Sequence, residues 1–169
     1  MIEVMVAGAI LAIAASGIAS SMVASLALSR VNRETQIAQA AAQRVIEEAR
    51  GLPFAEVFAS YNATNADDGA LTIAARGPSF DVRGLDVVAG DPDGRCGQVI
   101  FPTSGTPEQL REDVVDAALG MPRDLNNDGG QDALDHRADY TLLPIRARVQ
   151  WRGVSGVRTF DLETVLCLH

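Results

Sequence analysis

One stretch of this sequence has the residue types and spacing of a metal-binding loop. Between residues 124 and 135, oxygen-bearing side chains fall at the first, third, fifth, ninth and twelfth positions, and glycines take the sixth and seventh. A glycine permits the sharp turn of such a loop, and the next backbone carbonyl can serve as a ligand. Clustered carboxylates repel one another unless a hard cation such as Ca²⁺ lies between them. The spacing therefore predicts a calcium site with these donors: Asp124, Asn126, Asp128, Gly130, Asp132 and Asp135.

This loop departs from the EF-hand pattern in two respects. Its twelfth position is Asp135, whose side chain is shorter than the usual Glu, and the sequence after Asp139 favours a strand over an exiting helix. The alternative is an Asn-Asp-Gly turn within an acidic surface loop. A bound calcium ion would have a structural role, because it would order the segment that precedes the last two strands.

The sequence offers little for catalysis. Its two histidines are His136 and His169, and it contains no nucleophile elbow, phosphate-binding glycine loop or HExxH motif. His136 has Asp135 and Asp139 close by in sequence, but a solvated loop histidine is the simpler interpretation. We therefore expect no catalytic residues and a protein that is not an enzyme.

The charge balance argues against a nucleic-acid partner. The 169 residues carry 22 acidic and 14 basic side chains, for a formal net charge of −8, and all the basic residues are arginine. Phosphate contacts need basic residues gathered on one face, and this chain has no basic cluster. A hydrophobic content of 47% excludes a fully disordered chain, and the length excludes a large multidomain enzyme.

The apolar residues are concentrated at the start of the chain. Residues 4–28 include no charged side chain, which gives an uncharged run of 25 positions (28 − 4 + 1). As a helix this run would cover roughly 37 Å, enough for a hydrocarbon core of about 30 Å with some tilt. A cleaved secretory signal is the alternative, but it would start with basic residues and have a shorter apolar stretch. The run predicts a single membrane-spanning helix.

The helical pattern continues beyond the apolar run. Residues 29–50 are rich in good helix formers, and an apolar stripe recurs at helical spacing through Val31, Ala38, Ala42, Val45 and Ala49. The breaker cluster at 51–53 ends it. We expect one helix over residues 2–50, roughly 70 Å long. The chain then divides into a membrane-spanning half (1–28), an amphipathic half (29–53) and a globular domain (54–169).

Polar and small residues interrupt the apolar run at a few positions. Glu3 lies at its head, where an ionised carboxylate is costly unless it finds a partner. Two interpretations stay open: Glu3 lies in the headgroup zone, or it meets a cation supplied by another subunit. Gly17, Ser21 and Ser25 are spaced by four, so two helices could approach closely along that face, although small residues are also common in membrane spans.

The remaining 116 residues (169 − 53) suffice for one small domain. Helices are predicted at 54–61 and at 107–119, where Thr106, Pro107 and Gly120 supply start and stop signals. Strands are predicted at 71–75, 79–82, 98–101, 140–151 and 157–168. We expect an α+β fold in which the long N-terminal helix packs on a small antiparallel sheet.

The last two strands also predict their own register. In a hairpin that turns through residues 153–156, apolar residues face apolar residues on one side and opposite charges face each other on the other side. The pairs expected are Arg152 with Val157, Val149 with Phe160, Ala147 with Leu162, Arg148 with Asp161, and Arg146 with Glu163. The apolar side of this hairpin should cover the amphipathic half of the long helix.

The N-terminus combines a lone acid, an uncharged run, an amphipathic continuation and a globular part. It reads MIEVMVA, followed by AILAI at 9–13. Over residues 1–53 this combination resembles type IV pilins and type II secretion pseudopilins. The resemblance implies the pilin fold, processing by a prepilin peptidase, N-methylation, and a helical filament in which Glu3 pairs with a neighbour's N-terminal amine. The family's leader and its Phe are missing before Met1, so we expect a basic leader ending in Gly upstream.

The resemblance also implies a place in the cell and partners. It predicts a minor pilin or pseudopilin that crosses the bacterial inner membrane once, with an extracytoplasmic domain, and whose partners are other pilin-like subunits and inner-membrane lipid. Arg30 and Arg33 follow the run, so the positive-inside rule alone would place the domain inside, and a restored basic leader would reverse this. The alternative function is a single-pass, membrane-anchored calcium-binding domain that forms no filament.

A disulfide between Cys96 and Cys167 follows from the same placement. Disulfides persist outside the cytoplasm, and many pilins close their C-terminal region with one. A bridge would close a loop of about 70 residues and contribute roughly 4 kcal/mol in the chain-entropy model. The alternative is two unrelated buried thiols.

Overall fold

The computed structural model describes residues 1–64, 67–68, 74–154 and 156–168 of the chain. Within these residues the fold is α+β, as predicted, with a long N-terminal helix and a small antiparallel sheet. Its elements are α1 (Ile2–Arg50), α2 (Phe54–Tyr61), β1 (Ser79–Phe80), β2 (Gly97–Ile100), β3 (Thr103–Ser104), β4 (Gln109–Leu110), β5 (Leu142–Gly153) and β6 (Gly156–Cys167).

Helix α1 is unbroken over its 49 residues, which corresponds to about 73 Å. It ends where the breaker cluster predicts, and the Gly51 amide closes the last turn by donating to the carbonyls of Glu47 and Glu48. Its buried residues lie in the second half only: Glu34, Ala38, Ala42, Val45, Ile46 and Ala49. The predicted stripe is therefore largely correct, with Val31 only partly covered and Glu34 and Ile46 added.

The main sheet has the strand order β1-β2-β5-β6, and all its neighbours are antiparallel. Strands β5 and β6 form the predicted hairpin, and all five of the predicted cross-strand pairs are present. Ser155, in the predicted turn, lies outside the described residues. The register is correct because a slip by one residue would turn the apolar side chains of both strands away from the core.

The core lies between the second half of α1 and one face of the sheet. Alternate residues of β5 point into it, and they are buried almost completely: Leu143, Ile145, Ala147, Val149 and Trp151. Helix α2 closes one end, where the rings of Phe58 and Phe101 meet edge to face with centroids 5.2 Å apart. The residue facing Val149 on β2 is Gly97, and a Cβ there would collide with the ring of Phe80. The alternation seen in the sequence thus places the domain on the amphipathic half of α1.

The opposite face of the hairpin carries the predicted charge pairs. Arg148 donates two hydrogen bonds to Asp161, at 2.8 and 2.9 Å. Arg146 is buried and lies 3.3 Å from Glu163 and 2.6 Å from Asp116, which reaches over from the loop before β5. This loop therefore covers part of the sheet face that α1 does not cover.

The helix predicted at 107–119 is wrong. Residues 109–110 instead form β4, which pairs with β3, and the rest of the segment consists of turns, bends and irregular backbone. The physical reason is tertiary: the Arg111 amide donates to the carbonyl of Pro102, and the buried carboxylate of Glu112 accepts hydrogen bonds from the backbone of a distant loop. A helix would remove both sets of contacts. Of the strand predicted at 71–75, residues 71–73 lie outside the described part, and 74–75 are irregular.

Candidate functional site

The first half of α1 is an apolar surface that no described residue of the domain covers. Its most apolar 18-residue window has no buried residue. Large apolar side chains are exposed along its whole length: Ile2, Val4, Met5, Val6, Ile10, Leu11, Ile13, Ile18, Met22, Val23, Leu26 and Leu28. Soluble monomers rarely expose contiguous apolar patches above about 600 Å². By length and composition this half can cross a membrane, and its exposure excludes a buried core helix.

Glu3 lies in the first turn of α1, and its side chain is exposed. An acid in this turn interacts favourably with the free backbone N–H groups at the helix N-terminus. The side chains that surround it on the same helix are apolar, and no described residue forms an ion pair with it. The described residues therefore leave the Glu3 carboxylate without an ion pair, and both interpretations of Glu3 remain open.

The small residues of the apolar half are also exposed. A Cβ added at Gly17 would meet nothing within 4 Å, so this position leaves space for another helix. The hydroxyl groups of Ser16 and Ser20 donate to backbone carbonyls one turn back, at 2.8 and 2.9 Å, which satisfies them inside an apolar environment. The hydroxyl groups of Ser21 and Ser25 have no hydrogen-bond partner among the described residues. They remain able to bond across to a neighbouring helix.

A contact between Glu34 and Trp151 holds the domain to α1. It lies just beyond the apolar half of the helix. The Trp151 indole N–H donates to Glu34 Oε2 at 3.2 Å, and Arg30 Nε lies 3.0 Å from the other carboxylate oxygen. Glu34 is 7% exposed and Trp151 is 2% exposed. The sequence analysis missed Glu34, although an acid at helical spacing within an apolar stripe is the signal that could have identified it.

The predicted calcium loop folds around its own side chains. Asp124 accepts hydrogen bonds from the amides of Asn127 and Gly129, at 2.5 and 2.8 Å. Asp128 accepts from the Gly130 amide at 2.8 Å and from the Asn126 side chain at 3.2 Å. The first half of the loop therefore brings its predicted donors close together, as the spacing requires.

The two remaining predicted donors have other partners. Asp132 accepts from the Leu134 amide at 2.7 Å and lies 3.1 Å from His136 Nε2. Asp135 accepts from the Leu110 amide at 3.2 Å and from Arg137 Nε at 2.7 Å. Both carboxylates would have to leave these partners, or share them, to complete a calcium site with Asp124. The structure thus brings together only part of the predicted ligand set.

A different group, formed around Glu112, has the geometry to hold a cation. Ligand atoms of Glu112, Asp132 and His136 all lie within 4.8 Å of one another. Glu112 is 1% exposed, and its two oxygens accept hydrogen bonds from the amides of Leu125 (2.6 Å) and Asp132 (3.1 Å). The sequence analysis missed Glu112 because it assigned this residue to a helix.

His136 is the buried histidine of this group. It is 3% exposed, with Nε2 at 3.1 Å from Asp132 and Nδ1 at 3.2 Å from Asp139. Burial acts to lower the pKa of His136, but the hydrogen bonds to Asp132 and Asp139 and the charge of Glu112 raise it overall above its ordinary value. His136 is therefore a buried residue within a network of carboxylates, and the interpretation as a solvated loop histidine is wrong.

The predicted disulfide is also wrong, since Cys96 and Cys167 are both free. Cys96 precedes β2 and its carbonyl accepts from the Gln150 amide, whereas Cys167 pairs with Leu142 at the other end of β5. Gln150, bonded to Cys96, and Leu142, paired with Cys167, are eight residues apart on β5, or about 26 Å along the strand. A disulfide needs Cα atoms less than about 7 Å apart. The compartment argument could not reveal this separation.

Comparison with known proteins adds no relative. A scan against family models, a search of the curated proteins and a search of the solved structures each found no match. The resemblance to pilins therefore depends on residues 1–53 and on the packing of α1 against the sheet.

Proposed function

We propose that this chain is a structural subunit, a minor pilin or pseudopilin, of a type IV pilus-like or type II secretion filament. The observation that carries the proposal is the form of α1. It is one unbroken helix whose first half is apolar, exposed and headed by a single acid, and whose second half packs on an antiparallel sheet. Such a rod needs lipid around it before assembly and neighbouring rods around it afterwards.

Assembly on this proposal depends on replacing lipid contacts by helix–helix contacts. Apolar side chains gain little from leaving lipid, because lipid tails are as apolar as they are, so close packing and polar contacts have to stabilise the filament core. Gly17 leaves space for a second helix, and Ser21 and Ser25 carry free hydroxyl groups among the described residues. Glu3 would pair with a positive group on the adjacent subunit and so fix the axial register.

The same proposal implies a location in the cell and a set of partners. The subunit crosses the bacterial inner membrane once, with its domain on the extracytoplasmic side, and then enters a periplasmic or cell-surface filament. Its partners are other pilin-like subunits, inner-membrane lipid before assembly, and a prepilin peptidase where a leader precedes Met1.

Substitution of Glu3 tests the proposal. Glu3→Leu should reduce the subunit in sheared filaments at least a hundredfold, because removing one partner of a buried ion pair costs about 3–5 kcal/mol. The variant should still enter the membrane fraction, since Leu is more apolar than Glu. Glu47→Leu is the matched control, because Glu47 is an exposed acid on the same helix. Filaments that contain normal amounts of Glu3→Leu subunit would contradict the proposal.

A second candidate function is a membrane-anchored calcium-binding domain that forms no filament. It is favoured by the group of Glu112, Asp132 and His136 and by the partly assembled acidic loop beside it. In this case Glu3→Leu would change neither the fold nor the calcium binding of the domain, whereas loss of the cation would unfold the segment before β5.

A further inference from the structure

The tip of the β5–β6 hairpin lies beside α1 at the point where the apolar half of the helix gives way to the domain. Glu34 receives the hydrogen bond of Trp151, and a Cβ added at Gly153 would come within 3.1 Å of Glu34 Oε2. At the opposite end of the sheet, Cys167 lines a cavity with Arg50. The hairpin therefore lies along α1. Its turn points toward the apolar half of the helix, and the end of β6 points away from it.

Helix geometry places this tip at the membrane surface. Glu34 is six residues beyond Leu28, or about 9 Å along the helix axis, and the headgroup layer of one leaflet is roughly 5–8 Å thick. Val154 is the residue after Gly153, which lies beside Glu34, so the tip extends about 3 Å further back toward the apolar half. When residues 4–28 span the hydrocarbon core, the turn of the hairpin lies within the headgroup layer.

The residues at this tip suit an anionic lipid surface. We call them the hairpin foot, which consists of Arg30, Arg33, Arg152, Val154, Val157 and Arg158. Val154 and Val157 are 52% and 57% exposed. Arg33 and Arg152 are exposed and have no ion-pair partner among the described residues.

The charge of the foot is opposite to that of the whole chain. Its four arginines face two nearby acids, Glu34 and Asp86, which gives a local net charge of +2 (4 − 2), although the chain carries −8. Arg30 and Arg33 also line a cleft of about 240 Å³ between α1 and the 84–86 loop. Cationic side chains and two exposed apolar ones at the same end of the hairpin match a headgroup layer, where phosphates lie next to the first acyl carbons.

We propose that the hairpin foot docks on the anionic phospholipid headgroups of the leaflet that α1 enters. Docking fixes the orientation of the domain over the membrane before the subunit joins a partner. This inference rests on the membrane insertion of α1 contained in the proposed function. It does not depend on whether a filament forms.

Headgroup quenching in vesicles tests the proposal with the full chain. A thiol-reactive fluorophore attached at position 154 of the double variant Val154→Cys/Cys167→Ser reports the foot, and a fluorophore on the native Cys167 reports the far end of β6. Cys167 is exposed and lies about 36 Å along β6 from the tip, while Cys96 is buried and escapes labelling. Both chains are inserted into phosphatidylcholine vesicles that contain a headgroup-nitroxide lipid, with or without phosphatidylglycerol.

The expected result is strong quenching at position 154, weak quenching at 167, and an increase at 154 when phosphatidylglycerol is present. Adding Arg33→Gln and Arg152→Gln should lower the ratio of docked to undocked foot about 25-fold, at roughly fivefold for each arginine. Arg50→Gln, at the far end of α1, is the matched control and should have no effect.

Flotation of the same vesicles through alkaline carbonate separates the two proposals. A chain that floats but shows equal quenching at both positions contradicts docking and leaves insertion intact. Quenching at 154 that is insensitive to phosphatidylglycerol and to the arginine changes also overturns docking on anionic lipid, because the foot would then lie near the headgroups through the depth of α1 alone. A chain that does not float overturns insertion and docking together.

Discussion

The contact between Glu34 and Trp151 should contribute measurably to the stability of the domain. Glu34→Leu introduces an apolar side chain of similar size and leaves the buried Trp151 N–H without its acceptor, which is 3.2 Å away in the native chain. An unsatisfied buried donor costs about 1–3 kcal/mol, so we expect a loss of roughly 2 kcal/mol. Glu34→Gln keeps a carbonyl oxygen as acceptor, and we expect it to cost less than about 1 kcal/mol.

Urea unfolding of the full chain in detergent measures this difference. Trp151 is the only tryptophan, so its fluorescence reports the domain without interference. With a slope of about 2 kcal/mol/M, the midpoint of Glu34→Leu should fall by roughly 1 M, and that of Glu34→Gln by less than half as much. Glu47→Leu is the control, because the Glu47 side chain is 67% exposed and its pair with Arg50 lies at the surface. Equal midpoints for Glu34→Leu and the native chain would refute the argument.

Two further predictions concern charged groups of the domain. Hydrogen bonds from Arg148 lower the pKa of Asp161, so the stability that this carboxylate contributes is present at neutral pH and is lost as the pH falls below its ordinary range near 4. Asp161→Asn should therefore lower the melting temperature at neutral pH and have a smaller effect as the pH falls through the lowered pKa of Asp161, whereas an equal effect at neutral and acid pH would contradict the pairing. For the acidic loop, calorimetry of the chelator-treated chain should show heat with Ca²⁺ that Asp128→Ala abolishes, and no heat with the native chain would disprove the calcium prediction.

The sequence predicted those parts of the fold that repeat a simple pattern over many residues. Helix α1 follows from an uncharged run, an apolar stripe and a breaker cluster. The register of β5 and β6 follows from two alternating patterns that match in only one alignment, with Arg148 opposite Asp161 on one side and Val149 opposite Phe160 on the other. Each of these patterns is read from residues that are close in sequence, and burial of one face stabilises the structure that the pattern predicts.

The remaining structure depends on contacts between residues far apart in the sequence. Thr106, Pro107 and Gly120 have the residue types of a helix start and stop, yet contacts with distant residues decide the conformation of the segment between them. Glu112 instead becomes the acceptor for a loop that starts 13 residues later. Strands β3 and β4, at two residues each, are too short to produce a periodic signal.

The candidate site shows the same division. The exposed apolar half of α1 and Glu3 at its tip could be identified from residue types alone, because no tertiary contact defines them. Glu34 stands out as an acid within the apolar stripe, but its partner could not be predicted, since Trp151 lies 117 residues away. The disulfide prediction failed for a related reason: the compartment expected from the sequence favours a disulfide, but only the strand register shows that the two thiols lie at different ends of β5.

If the chain is a filament subunit, as proposed, the Glu34–Trp151 contact and the hairpin foot together determine what assembly has to overcome. Because α1 is continuous and Glu34 fixes the sheet to it, the domain cannot slide along the helix, and its height above the membrane follows from the depth of α1. On this proposal, moving the subunit into a filament would lift the foot from the headgroups at the same time as it takes the apolar half out of lipid. Contacts between neighbouring helices, with Glu3 among them, must offset both losses. Weakening the foot through Arg33 and Arg152 should then make extraction easier, whereas removing the charge of Glu3 makes assembly harder.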